Sequence, residues 1–206
     1  GHGSGQLLPG TDPAALKGYQ SPLEEARADL FALYYLPDAK LVELGLLSNE
    51  EAYKAQYDSY ILNGLFGQLA RIELGKNIEQ AHMRDRQLIS KWVFEKGQKE
   101  KVIEMYQSNG KTYFRINDYI KLRALFGELL AEVQRIKSEG DYPAGEKLVE
   151  NYGVQVNYDL HKELLERYKK LNRAVFAGFI NPELIPVMEN GEIMDVQVKH
   201  PDDYSP

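Results

Sequence analysis

The sequence predicts a mainly α-helical protein with two small β-hairpins, and two kinds of pattern support this prediction. Long stretches that suit helices end at a glycine or just before a proline, and these residues terminate helices. Two Asn-Gly pairs, at 109–110 and 190–191, each lie between short runs in which the helical pattern stops. An Asn-Gly pair in that setting is typical of a tight hairpin turn. We therefore expect helices to form most of the chain.

The first half of the chain contains four predicted helices after a loop at 1–18. Ser21, Pro22 and Glu24 match a capping box with proline at the first helical position, so the first helix should begin there. It should end near Leu36, because Pro37 follows. A short helix is expected next, at 39–46. Capping residues and closing glycines then predict two more helices, 48–74 and 78–96, with Asn77 capping the second.

The second half alternates hairpins and helices. Strands are expected on either side of each Asn-Gly pair, at 102–106 with 112–116 and at 184–188 with 193–198. Asp118 is a good helix cap and predicts a long helix that ends near Lys137. Two shorter helices complete the prediction, at 144–152 and 159–171.

The composition is that of a globular domain or of a piece of a larger protein. Of the 206 residues, 43% are hydrophobic, which is enough to form a core. The net charge of -6 argues against nucleic acid or an anionic membrane as the main partner. The chain has no cysteine, which excludes disulfides, thiolate zinc sites and cysteine nucleophiles. Any metal site must therefore use histidines and carboxylates.

Acidic residues cluster at the start of the first predicted helix. Glu24 and Glu25 occupy its first turn, where the helix dipole favours carboxylates. Asp29 lies on the face of Glu25, where like charges repel by about 0.2–0.5 kcal/mol. The apolar stretch 30–36 indicates burial, and Arg27 should point away from Glu25 and Asp29. From the residues alone, a solvated helix start explains these acids better than a metal site does.

The four histidines give weak indications when each is taken alone. His2, among glycines, is either part of a site or a cloning remnant. His82 shares a helix face with apolar residues and is expected to be a hydrogen-bonded core or boundary residue. His161 is expected to be solvated, and His200 carries no indication. Arg86, near His82, either binds a carboxylate or is solvated.

Three segments together resemble the dipeptidyl peptidase III family. That family carries a His-Glu-x-x-Gly-His helix that continues into Gly-Ser-Gly, and then Glu-Glu-x-x-x-Asp/Glu on the next helix. Residues 1–7 read Gly-His-Gly-Ser-Gly-Gln-Leu and residues 24–29 read Glu-Glu-Ala-Arg-Ala-Asp. Residues 81–86, Ala-His-Met-Arg-Asp-Arg, are similar to a third family block, Ala-His-Met-x-x-Arg. The likeness extends over essentially the whole chain and makes a cloning remnant a poor explanation of His2.

The resemblance implies roles for the matching residues. His2 matches the second histidine of the split motif, a zinc ligand, and Glu25 matches the carboxylate ligand. Glu24 and Asp29 match acids that support the ligating histidines, in the way that outer carboxylates orient metal ligands. His82 matches a catalytic histidine that contacts the substrate and stabilises the transition state.

The resemblance also implies substrate-binding candidates among the basic residues. Arg86 matches an arginine near the substrate. Lys169 or Lys170 corresponds to basic residues that the family uses late in its helical lobe. Oligopeptides are the expected substrates, and zinc is the expected cofactor.

The 206 residues include only part of the family's metal motif. Its first histidine and its general-base glutamate would precede Gly1. We therefore expect a fragment of a zinc exopeptidase that releases dipeptides from the amino terminus of oligopeptides, with the fragment itself inactive. Alternatives are a non-catalytic helical peptide-binding module, a pseudoenzyme, and a different zinc hydrolase such as an endopeptidase.

The expected architecture is part of the helical zinc-bearing lobe of a two-lobed metallopeptidase. Residues 1–206 would form a single partial domain, with the tail 182–206 packing toward a missing amino-terminal lobe of the same chain. No nucleic-acid or membrane partner is expected, and the expected compartment is the cytoplasm.

Overall fold

The structure, a computed structural model, describes residue 2 and the ranges 5–171 and 182–200. The chain divides into two compact units, 1–172 and 173–206. The mainly α class with two small hairpins is confirmed. The helices are α1 (Gln20–Tyr35), α2 (Ala39–Glu43), α3 (Ala52–Leu65), α4 (Ala81–Lys96), α5 (Tyr119–Glu139), α6 (Tyr142–Val149) and α7 (Tyr158–Leu171), and the strands are β1 (Ile103–Ser108), β2 (Lys111–Ile116), β3 (Glu183–Glu189) and β4 (Glu192–Lys199).

Helices α1, α3, α4 and α5 supply most of one hydrophobic core of the first unit, to which α6 adds Leu148 and Val149. Helix α1 packs against both α4 and α5, and α3 packs against α4. Each helix contributes side chains that are at most 1% exposed, and burying such a side chain stabilises the fold by about 1.5–3 kcal/mol. Examples from the four helices in turn are Leu23, Leu30, Tyr57, Ile61, Leu88, Ile89, Phe126 and Leu129.

The start of α1 differs from the prediction. The helix begins at Gln20 and follows a 3₁₀ turn, Lys17–Tyr19, so Ser21 lies inside the helix and does not cap it. The backbone N–H of Gln20 donates to the carbonyl of Lys17, and thus the preceding turn replaces the side-chain cap. The end of α1 at Tyr35 agrees with the prediction to within one residue.

The predicted helix 48–74 is wrong in length. Helix α3 ends at Leu65, where Phe66 leaves the helical conformation, and a 3₁₀ turn follows at Gly67–Arg71. Phe66 instead lies in a second, smaller core with Leu69, Ile78 and Leu164. Burial of an aromatic side chain therefore accompanies the break.

Helix α4 begins later than predicted. Gln80, and not Asn77, is its cap, and the Gln80 side chain accepts a hydrogen bond from the N–H of Met83. Ile78 precedes the helix because it is buried in the second core and donates its N–H to the carbonyl of Val154. The end at Lys96, before Gly97, is as predicted.

The second half follows the prediction closely. Both hairpins turn at the predicted Asn-Gly pairs, and all four residues of these pairs have positive φ, as a type I′ turn requires. Asp118 caps α5 by accepting from the N–H of Lys121. Helix α6 begins two residues before the predicted segment 144–152. It ends at Val149, where a π-helical turn, Glu150–Val154, continues the chain.

The second unit, in its described part, is the β3–β4 hairpin. Its strands are antiparallel, with a bulge at Val187 and Met188. Most of its side chains are exposed, Leu184 and Val198 among them. The predicted packing of 182–206 toward another lobe stays a prediction, and residues 201–206 lie outside the described part. None of the described helices is long and apolar enough to cross a membrane.

The close packing of α3 against α4 gives a stability prediction. A Cβ atom at Gly64 would clash with Ser90 Oγ and with the backbone oxygen of Arg86. We expect Gly64→Ala to lower the free energy of unfolding by about 1–3 kcal/mol through overpacking, measured by urea denaturation followed by circular dichroism. Gly67→Ala is the matched control, since its Cβ would meet atoms no closer than 3.6 Å. Equal effects of the two substitutions would contradict the prediction.

Candidate metal centre

Two helices bring the predicted site residues Glu25 and His82 together with Asp85. Glu25 lies in the second turn of α1, and His82 and Asp85 lie three residues apart in α4, which packs against α1. That spacing places His82 and Asp85 on one face of α4. One ligand atom from each of Glu25, His82 and Asp85 lies within 4.8 Å of the others. The cluster therefore has the size of a metal centre.

His2 lies beside both Glu24 and Glu25. Its Nδ1 is 3.0 Å from Glu24 Oε1, and its Nε2 is 3.5 Å from Glu25 Oε2. With the proton on Nδ1, His2 donates to Glu24 and leaves the lone pair of Nε2 facing Glu25. A metal-ligating histidine usually donates its second ring nitrogen to a carboxylate in this way.

Glu24 is held by three cationic or donor groups. Arg27 donates to both of its oxygens, at 3.1 and 2.7 Å, and Lys137 Nζ lies 3.0 Å from Oε2. Burial raises the pKa of Glu24, but the hydrogen bonds from Arg27, Lys137 and His2 outweigh burial and lower the pKa to about 2. Glu24 therefore stays ionised and remains an acceptor for His2 Nδ1.

Arg27 has a role that the sequence analysis missed. Its side chain is only 1% exposed, and its Nη2 also donates to the backbone oxygen of His2 at 3.0 Å. We expected Arg27 to leave Glu25 and Asp29 without a cation, but it serves Glu24, three residues earlier on the helix. The i,i+3 spacing of Glu24 and Arg27 is the pattern that indicates this pair. Lys137 comes from α5, and no local pattern indicates its contact.

Asp29 makes no hydrogen bond or ion pair to a histidine in the described part of the chain. Its Oδ2 accepts a hydrogen bond of 2.9 Å from the hydroxyl of Tyr60, which lies on α3. Asp29 therefore links α1 to α3 beside the cluster. Its predicted role as support for a ligating histidine stays a prediction.

Asp85 is a buried acid that the sequence analysis did not single out. It is 0% exposed, and neither of its oxygens has a hydrogen-bond partner among the described residues. Burial, followed by the charge of Asp29, raises the pKa of Asp85 to about 8. An uncompensated buried carboxyl group is costly, so it calls for a cation or a donor. Its position three residues after His82 is the pattern that indicates a shared face.

His82 lies at the edge of the protein. Its side chain is 55% exposed, and its Nδ1 is 3.4 Å from Glu25 Oε2. Of the two expected environments, core or boundary, the core is therefore excluded, and His82 lies at the surface beside Glu25. Exposure beside Glu25 leaves the ring accessible to a ligand from solvent.

The expectation that His161 is solvated is wrong. His161 is 1% exposed, and its Nε2 lies 2.9 Å from the carbonyl oxygen of Leu69 and 3.1 Å from that of Ile72. It shares the buried face of α7 with Leu164. A proton on Nε2 satisfies both carbonyls, so His161 has a structural role. His200 is exposed after β4.

The predicted substrate-binding residues lie in different places. Arg86 lines an open cavity of about 500 Å³ together with Asp29 and Tyr60, next to the cluster. Lys169 and Lys170 are exposed in the last turn of α7. No hydrogen bond or ion pair within the described ranges joins these two lysines to the cluster. Their role stays a prediction.

The pair of His2 and Glu25 fits zinc. Nitrogen and carboxylate donors suit this ion, and tetrahedral coordination at about 2.0–2.2 Å sets ligand atoms roughly 3.4 Å apart. The 3.5 Å between His2 Nε2 and Glu25 Oε2 is close to that separation. The chain therefore presents a nitrogen and an oxygen atom at a separation that suits two ligands of one zinc ion.

Comparison with known proteins places the chain among the peptidases. The model of Peptidase family M49 matches residues 8–178, which is most of the chain. The chain therefore belongs to peptidase family M49, and the predicted relation to dipeptidyl peptidase III is confirmed.

Two solved structures are similar to the chain. DPP III from Caldithrix abyssi is 21% identical with a TM-score of 0.59, and the match covers 82% of this chain and 30% of that one. Dipeptidyl-peptidase III from Corallococcus sp. strain EGB is 23% identical with a TM-score of 0.56, covering 76% of this chain and 26% of that one. The chain thus spans less than a third of either structure, and at these identities the likeness establishes the fold. No curated protein matches the sequence.

The buried position of Arg27 gives a prediction about stability. Replacing it by methionine removes the bidentate partner of Glu24 and leaves that carboxylate with fewer donors. We expect Arg27→Met to cost about 2 kcal/mol, because the two charged hydrogen bonds to Glu24 are lost while Glu24 is partly exposed and keeps Lys137 and His2; urea denaturation measures this cost.

Arg135→Met is the control for this prediction. Arg135 also pairs with acids, among them Glu132 and Asp141, but its side chain is 37% exposed. Its loss should cost less than about 1 kcal/mol. A cost for Arg27→Met no larger than that of the control would contradict the prediction.

Proposed function

We propose that the chain forms part of the zinc-bearing lobe of a metallopeptidase that removes dipeptides from the amino terminus of oligopeptides. The supporting observation is the convergence of His2 Nε2 and Glu25 Oε2 at 3.5 Å, on the two motifs that the family uses for zinc. Membership of peptidase family M49 supports the reaction class. The names of the two similar structures support the dipeptide product.

His2 and Glu25 would hold the ion, and Glu24 would hold His2. The Glu24 carboxylate keeps the proton of His2 on Nδ1, so that Nε2 faces the metal position. Arg27 and Lys137 keep Glu24 ionised, and Arg27 also binds the backbone of His2. These contacts would orient the ligand before the metal arrives. Zinc, when bound, supplies a Lewis acid that lowers the pKa of a coordinated water molecule and polarises a peptide carbonyl.

His82 would act on the substrate. Its exposed ring lies beside Glu25, so a protonated ring nitrogen there would donate a hydrogen bond to the oxygen that becomes negative during peptide hydrolysis. Arg86, in the adjacent cavity, would bind a polar group of the peptide further along. The residue that takes the proton from water is not supplied by this arrangement. In the family it belongs to the motif before Gly1.

The 206 residues alone should therefore be inactive. They contain one motif histidine and one ligating carboxylate, whereas catalytic zinc sites use three protein ligands. The proposed partner is an amino-terminal lobe in a longer protein, which would supply the remaining ligand, the base and a surface for the peptide's amino terminus.

The test measures dipeptide release from a chromogenic dipeptidyl arylamide by the longer protein and by the 206-residue chain. We expect release by the longer protein, loss of release with Glu25→Gln, and no release by the 206 residues alone. Cleavage of internal peptide bonds would instead indicate an endopeptidase, and peptide binding without turnover would indicate a binding module. Either result, or unchanged activity with Glu25→Gln, would overturn the proposal.

A second prediction concerns the support of His2 by Glu24. In the longer protein, Glu24→Gln replaces an ionised acceptor by a neutral amide, which should weaken zinc binding about 10–100-fold. Competition with a chromogenic chelator measures this affinity. Glu132→Gln is the control, because Glu132 pairs with Arg135 away from His2, and it should leave the affinity unchanged. Zinc affinity insensitive to Glu24→Gln would contradict the proposed support.

A further inference from the structure

A second set of metal donors lies within the chain itself. Glu25, His82 and Asp85 each offer a ligand atom, and the three atoms lie within 4.8 Å of one another. His82 Nδ1 and Glu25 Oε2 are 3.4 Å apart, which is the separation of neighbouring ligands on one ion. This set includes neither His2 nor any residue outside the 206.

Asp85 supplies an observation that points to a ligand. It is 0% exposed, and both of its oxygens are buried without a hydrogen-bond partner in the described part of the chain. Buried polar groups are nearly always paired, so two unpaired oxygens on one carboxyl group require an explanation. A bound cation satisfies oxygens that no protein donor reaches. One of these oxygens lies toward Glu25 and His82, within the 4.8 Å cluster.

The surrounding charges favour a cation at the same place. Asp29 adds a third acidic side chain beside Glu25 and Asp85. Its negative charge makes ionisation of Asp85 less favourable. Arg86 opposes this with its positive charge and with its backbone N–H, which both favour the ionised form of Asp85. Neither group makes a hydrogen bond of normal geometry to the Asp85 oxygens. The exposed ring of His82 leaves a path from solvent. The site is therefore negative, accessible on one side and short of donors.

We propose that the 206-residue chain binds a divalent transition-metal ion through Glu25, His82 and Asp85. One imidazole nitrogen and two carboxylates suit zinc, cobalt(II) and manganese(II). Glu25 Oε2 lies 3.5 Å from His2 Nε2 and 3.4 Å from His82 Nδ1. The new site and the His2 site therefore compete for one oxygen, and the chain holds the ion between α1 and α4 whenever the His2 site lacks a further ligand.

This inference does not rest on the proposed peptidase function, because it needs no residue outside the chain and no turnover. Its test is metal binding by the 206-residue chain, with Co²⁺ and Zn²⁺ alone as probes. Calorimetric titration gives the affinity, and the visible absorption of bound Co²⁺ reports the coordination. Circular dichroism of each variant confirms that it is folded.

Three variants distinguish the donor sets. We expect Asp85→Asn and His82→Gln to weaken Co²⁺ binding at least about tenfold, since each removes a ligand. His2→Gln removes a residue outside the donor set, so it should change the affinity for Co²⁺ by less than about twofold, which is small beside a tenfold loss. His200→Gln is the matched control, because His200 is an exposed histidine in the second unit. His82 is exposed, so its variant keeps the test valid if Asp85→Asn does not fold.

Two outcomes would overturn the inference. One is the absence of saturable Co²⁺ and Zn²⁺ binding by the wild-type chain. The other is binding that His2→Gln abolishes while Asp85→Asn or His82→Gln leaves it intact, which would place the ion at the His2 and Glu25 pair. Failure of dipeptide release by the longer protein would bear only on the proposed function.

Discussion

The contact between Arg27 and Glu24 is the interaction on which the candidate centre depends. The guanidinium is buried, binds both oxygens of Glu24 and also binds the backbone oxygen of His2. It therefore fixes the acceptor that orients the His2 ring and the chain segment that carries the ring. Gly5 passes close to the same group, since a Cβ there would lie 3.1 Å from the guanidinium carbon. A glycine at this position of the motif thus lets the backbone approach Arg27.

Glu24 on α1 and Asp85 on α4 differ in whether hydrogen-bond donors surround their carboxyl groups. Glu24 has Arg27, Lys137 and His2 as donors and stays ionised. Asp85 has no hydrogen-bonding donor in the described part of the chain. The fold would be more stable if Asp85 were also paired with a donor or were replaced by an apolar residue. A buried acid such as Asp85, unpaired and close to an exposed histidine, is instead typical of a functional site, where a group that binds a ligand lowers the stability of the fold.

The sequence predicted elements whose causes are local and failed where the cause is tertiary. Asp118 and the Asn-Gly pairs act on their own neighbours, so α5 and both hairpins were placed well. The end of α3 depends on a core that Phe66 shares with Leu164, about a hundred residues later, and no local pattern shows that contact. The same core buries His161, which looks solvated from its polar neighbours.

The candidate site could be predicted only through the family motifs. From the residues alone, the acids of the first helix looked like a solvated helix start. The motifs indicated His2 and Glu25, and the structure brings these two together. Asp85 stands at a variable position of its motif block, so the resemblance did not indicate it. Its importance follows from burial, which depends on how α4 packs against its neighbours.

Helix α4 is held in place by close backbone contacts on two sides, and this determines the size of the cluster. Gly64 of α3 approaches the backbone oxygen of Arg86, and Gly153 of the π-helical turn approaches that of Arg84. Gln87 adds hydrogen bonds to the carbonyls of Tyr152 and Gln155. Contacts to glycine backbone leave no side chain that can adjust, so α4 has little freedom to shift. Because His82 and Asp85 lie on this helix, their distance from Glu25 is set by packing of the helix backbone at the residues on either side of Asp85.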